Sequence, residues 1–178
     1  MHSGRYKNLI DPQNATLRKL VIEGLGLDCS AISRRQCLEQ HLGYLQGFKY
    51  INASGLTSLD ETIASRSGNC LSLICLLCSL LRSAGFSHNE AFAAVGCVKG
   101  FHLIRMHAYA LIKGVDCGRL LLIDPEGMRV KSIDYDDLSS SYSLFVIFND
   151  QQQASDNQEM RNLLTSLSQA PEADQAGL

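Results

Sequence analysis

The chain has 178 residues, of which 46% are hydrophobic and 19% charged, with a formal net charge of −2. That is enough apolar material for one substantial core, and the balanced charge excludes the basic footprint of a nucleic-acid binder. The longest apolar run, 71–81, is too short to span a bilayer and the first residues lead into no signal-peptide core, so a soluble, cytoplasmic protein without membrane contact is expected.

The first ~29 residues form an arm with one short helix over 15–24, capped by Asn14 and presenting Leu17, Leu20, Val21 and Leu25 on one face. Ser30 is expected to cap a second, amphipathic helix through Ile32, Leu38, Leu42, Leu45 and Phe48. After the linker 52–55, Ser58 followed by Glu61 announces a short helix with a capping box. The segment 65–70 then leads into the apolar run 71–81, which Gly85 stops. A helix apolar on nearly every side must be enclosed. Five strands follow, over 91–98, 105–113, 119–124, 129–133 and 142–149. Helices first and an antiparallel sheet after is an α+β order, with the central helix buried against the sheet.

Beyond Asn149 the composition turns polar. A marginal helix through Met160, Leu163, Leu164 and Leu167 is expected to be loosely attached, and 170–178 reads as a disordered tail. The domain reading is therefore one catalytic domain over 1–149 and a tail over 150–178.

Seven cysteines at irregular spacing favour free thiols over a disulfide framework. Cys75 and Cys78 form a C-x-x-C, but they sit inside the apolar helix without a second ligand pair. They read as core residues, as does Cys97, and neither a metal nor a cofactor is expected.

Cys70 stands apart. It opens the apolar helix, where unpaired backbone N–H groups and the macrodipole favour a thiolate. His107 lies in the strand 105–113 and Asp124 ends the next, so nucleophile, base and orienting carboxylate follow one another in the chain. If these strands form a hairpin closed at Val115-Asp116, or by a loop over 114–117, His107 faces Asp124 directly. His102 is a weaker candidate base.

The Gly68-Asn69-Cys70 segment opening an apolar helix, then His107-Ala108-Tyr109, then Leu122-Ile123-Asp124-Pro125, resembles the transglutaminase-like superfamily of cysteine peptidases, amidases and acyltransferases over residues 30–149. Tyr50 and the Leu59-Asp60-Glu61-Thr62 stretch look like that family's lead-in to the cysteine. The resemblance implies a papain-like core in which Cys70 is the nucleophile, His107 the general base and Asp124 its partner. It implies a peptide or protein amide as substrate. Tyr109 stands where many members carry Trp, so an indole oxyanion donor cannot be copied here. The second donor, beside the Cys70 amide, is sought at Tyr50, at Asn69 or at a position the sequence does not show. The segment 96–112 also looks somewhat like the leader peptidases of lasso-peptide biosynthesis. A hydrolase is favoured, with an acyltransferase, a peptide-maturation protease or a non-catalytic binding module on the same fold as alternatives.

Overall fold

The computed structural model describes residues 6–21, 32–100, 106–116 and 119–168. Each helix in the first half starts where a side chain satisfies the free amides of the first turn. Helix α1 (Ala15–Lys19) begins at Asn14, whose Oδ1 accepts from Leu17 N at 3.0 Å. Helix α2 (Arg34–Gln46) is capped by Ser33, not by Ser30, because Ser33 and Gln36 form a reciprocal capping box. Ser30 and positions 22–24 of the expected first helix lie outside the described residues. Helix α3 (Leu59–Ser65) starts at the expected Ser58–Glu61 box.

Helix α4 (Cys70–Ser83) is the centre of the molecule. Residues 72–81 are all buried, between α1, α2 and α3 on one side and the sheet on the other. An unbroken apolar run is what such an enclosed position requires. Its start is fixed by β1 (Lys49–Tyr50), which pairs in parallel with β2 (Ser67–Gly68) immediately ahead of Cys70. A side chain at Gly68 would be tightly crowded. A Cβ there would lie 3.1 Å from Ser72 Cβ, 3.2 Å from Thr62 Cγ2 and 3.3 Å from Leu73 Cδ2.

The main sheet is antiparallel with six strands in the order β6-β5-β4-β3-β7-β8. Its strands are β3 (Ala91–Val98), β4 (His107–Asp116), β5 (Arg119–Asp124), β6 (Arg129–Ile133), β7 (Tyr142–Phe148) and β8 (Gln153–Ala154). Alternate residues of β4 separate two cores: Ala108, Ala110 and Ile112 join the cluster built around α4, whereas Tyr109 and Leu111 join a second cluster on the opposite face. Both faces of the central strands are therefore dry, which explains the almost continuous apolar sequence of β3.

Two expectations are corrected here. Helix α6 (Asn157–Ser168) is not loosely attached: Met160, Leu164 and Leu167 are buried against the second face beside Leu138 of α5 (Tyr135–Ser141), and β8 extends the sheet. The residues 170–178, read as a disordered tail, lie outside the described residues. The thiols also differ from expectation, since Cys37 is disulfide-bonded; Cys70, Cys75, Cys78 and Cys97 are free, and of the expected core thiols Cys75 and Cys78 are buried whereas Cys97 is only half-buried near the end of β3. Cys29 and Cys117 lie outside the described residues. Among the described residues no helix is long and apolar enough to cross a membrane, and no group of metal-ligating side chains clusters.

Candidate active site

Cys70 occupies the first turn of α4, and Asn69 caps that turn. Asn69 Oδ1 accepts from Ser72 N at 2.9 Å, while its Nδ2 donates to the carbonyls of Gly55 and Ala53. Both ends of the amide are thus committed to holding the 52–57 segment against the helix start. Asn69 is therefore a brace, which leaves it no donor to offer an oxyanion. A hydroxyl chain completes the brace: Thr57 Oγ1 donates to Ser72 Oγ at 2.8 Å and lies 2.9 Å from Thr62 Oγ1.

The thiol of Cys70 is half-buried, and its electrostatic surroundings are set by the His107 side chain and the backbone at Ala108 and Leu71. Burial by itself would raise its pKa, but the His107 contact and the two backbone groups outweigh it, and the thiol is held below its ordinary value. The neighbouring cysteines of the same helix behave oppositely. Cys75 and Cys78 are enclosed by apolar side chains, and burial drives both thiols upward.

His107 is the first residue of β4, where its ring reaches both partners. Its Nε2 lies 3.1 Å from Asp124 Oδ1. Desolvation would lower the imidazole's pKa, yet the hydrogen bonds to Cys70 and Asp124 prevail and raise it above the ordinary histidine value. The two shifts run in opposite directions, and each group contributes to the other's.

The strand register behind this contact is not the expected one. Ala110 pairs with Ile123 and Leu111 with Leu122, so His107 and Asp124 are diagonal neighbours two positions out of direct opposition. The cause is that β4 runs on until Asp116 pairs with Arg119, four out of the expected register, and the irregularity between Ile112 and Asp116 brings the pairing back by two. A shift of two preserves the face each side chain occupies, so the contact survives. His102 lies outside the described residues, as do position 105 of the expected strand and 117 of the expected loop.

Two neighbours, Glu126 and Arg129, lie beyond what the sequence anticipates. Glu126 N donates to Asp124 Oδ1 at 2.8 Å and Arg129 Nη2 to Asp124 Oδ2 at 3.1 Å. Two facing charges at the mouth of a tight hairpin were the available clue to Arg129. The Tyr109 ring meets His107 edge-on at 5.0 Å between centroids and Tyr142 at 5.3 Å. Burial, with Tyr142 and Asp124 nearby, pushes the Tyr109 hydroxyl up to about 12. Tyr50 borders the other side, 6.4 Å from the imidazole centroid.

No protein-family model matches the sequence, and no curated protein matches it. Solved structures do match the fold. Legionella pneumophila LapG is similar with a TM-score of 0.60 at 13% identity, over 85% of this chain and 96% of that one. EGTA-treated LapG gives 0.61 at 12% identity over 85% and 96%, and calcium-bound LapG gives 0.59 at 13% over 85% and 97%. The likeness is one of fold, and it extends over nearly the whole LapG chain.

Proposed function

We propose that this protein is a cysteine hydrolase that cleaves a peptide or amide bond of a protein substrate. One observation carries the reading: the His107 ring interacts with the Cys70 thiol at a helix start and, through Nε2, lies 3.1 Å from the Asp124 carboxylate. A thiol so placed loses its proton to the imidazole and attacks the substrate carbonyl. The amide of Cys70, at the first turn of α4, supplies a donor for the tetrahedral oxyanion. Imidazolium then protonates the leaving amine, which departs and leaves a thioester on Cys70. His107 next takes a proton from water, whose attack on the thioester releases the acid and restores the thiol. Asp124 holds the ring tautomer and steadies its charged form throughout.

The test is turnover of a diverse peptide library in ¹⁸O water, followed by mass spectrometry. Cleaved products carrying one heavy oxygen, and their loss in Cys70→Ala, are expected. Products conjugated to an added amine in place of water-derived acids would make the protein a transferase. No cleavage or conjugation in either protein would favour a binding module.

A further inference from the structure

Asp124 is gripped more firmly than its contact with His107 requires. Oδ1 receives both the ring nitrogen at 3.1 Å and the Glu126 amide at 2.8 Å, so that oxygen alone would still let the carboxylate turn about its bond to Cβ. The remaining oxygen, Oδ2, is met by Arg129 Nη2 at 3.1 Å, and the same Nη2 lies 3.4 Å from Glu126 Oε2. Arg129 reaches this position because it stands directly opposite Asp124 across β5 and β6.

The connection that returns it is constrained. Pro125 has a fixed φ, Gly127 sits at φ 76°, and Met128 adopts φ 50°, an uncommon value for a residue with a side chain. Met128 is 5% exposed and packs in the core around α4. Burial of that side chain sustains the left-handed backbone, and the backbone in turn sets Arg129 beside Asp124.

We propose that Arg129 is a positioning residue that fixes the Asp124 carboxylate in the orientation from which Oδ1 accepts from His107. This rests on the Cys70–His107 pair being the reactive centre. As an ion pair its guanidinium is too exposed, at 66%, to matter much for stability. Its work is angular, since it takes the second oxygen from the strand opposite and leaves the first for the ring. The titratable groups facing His107 are Cys70 from α4, Asp124 from β5, Tyr50 from β1 and Tyr109 from its own strand, with Tyr142 of β7 behind Tyr109. Arg129 is the cation hydrogen-bonded to Asp124 among the described residues.

Two readouts test this in the full chain: the rate of Cys70 alkylation by iodoacetamide at pH 6, and the His107 titration midpoint by NMR. Arg129→Ala should slow alkylation about five-fold, the weight of one hydrogen bond in a rate, and lower the midpoint. Arg129→Lys, which keeps a donor and a charge, should recover most of both. In an Asp124→Asn background, Arg129→Ala should add nothing further. A midpoint that rises in Arg129→Ala would overturn the proposal, because that is what loss of a nearby cation alone produces. Undiminished alkylation with an unchanged midpoint would overturn it too, as would an undiminished effect in the Asp124→Asn background. If Cys70 is sluggish in the wild type while Arg129→Ala still lowers the midpoint, the positioning role stands and the hydrolase reading fails. Should Arg129→Ala melt early, Arg129→Gln supplies the same two readouts.

Discussion

Arg82 and Asp150 join the C-terminal end of the buried helix to the chain just beyond β7 through two parallel bonds, Nε–Oδ1 at 2.7 Å and Nη2–Oδ2 at 2.9 Å. Both side chains are largely shielded, at 13% and 14% exposure, and Arg82 also donates to the Phe86 carbonyl where the helix stops. The reactive end of α4 is held by Asn69, and this ion pair holds the other. A rigid helix with a fixed start is what lets a thiol meet an imidazole with small error.

Replacing Arg82 by Met leaves Asp150 shielded without its partner. The expected cost is about 2–4 kcal/mol, in the range for breaking a buried pair, read as a lower midpoint in urea with an unchanged slope. Burial would raise the Asp150 carboxyl, but Arg82 overrides it and holds the group below its ordinary value. The pair's contribution is therefore full above the unfolded aspartate's pKa and lost as pH falls through the lowered one. Wild type and Arg82→Met should converge in stability on acidification; a constant gap down to strongly acidic pH would show that packing, not charge, is lost.

Asp124→Asn offers a sharper test of the site. The amide can occupy the same volume yet presents the imidazole with the wrong choice of donor and acceptor, so turnover should fall by about 10²–10⁴-fold. Cys70 should stay alkylatable at high pH. Retention of near-normal turnover would show that Asp124 merely closes the β5–β6 turn.

Much of this was legible in the sequence, for definite reasons. Central helix α4 announced itself because an enclosed helix must be apolar all round, and Ser58 with Glu61 specified the start of α3 through local hydrogen bonds alone. The His107–Asp124 contact was anticipated through the wrong register. It survived because a two-residue shift leaves both side chains on the same face. What escaped was non-local: the irregularity in β4, the docking of Met160, Leu164 and Leu167 on the far side of the sheet, and the return of Arg129 to Asp124. None of these is written in a short window of residues. The capping position slipped from Ser30 to Ser33 because both are serines and only Ser33 finds Gln36 three residues on.

The most direct test is site-resolved alkylation across pH. Thiolate is the reactive form, Cys70 is held below its ordinary pKa, and Cys75 and Cys78 are held above theirs. Below the range in which an ordinary thiol titrates, the Cys70 anion should therefore be more populated than that of either buried cysteine. Mass spectrometry of the intact fold treated with limiting iodoacetamide should find Cys70 labelled first, at a rate that levels off well below the titration of an ordinary thiol. His107→Ala should push that rise back toward the alkaline range. Cys70 labelled no faster than Cys97 at pH 6, with the same profile in His107→Ala, would contradict the account.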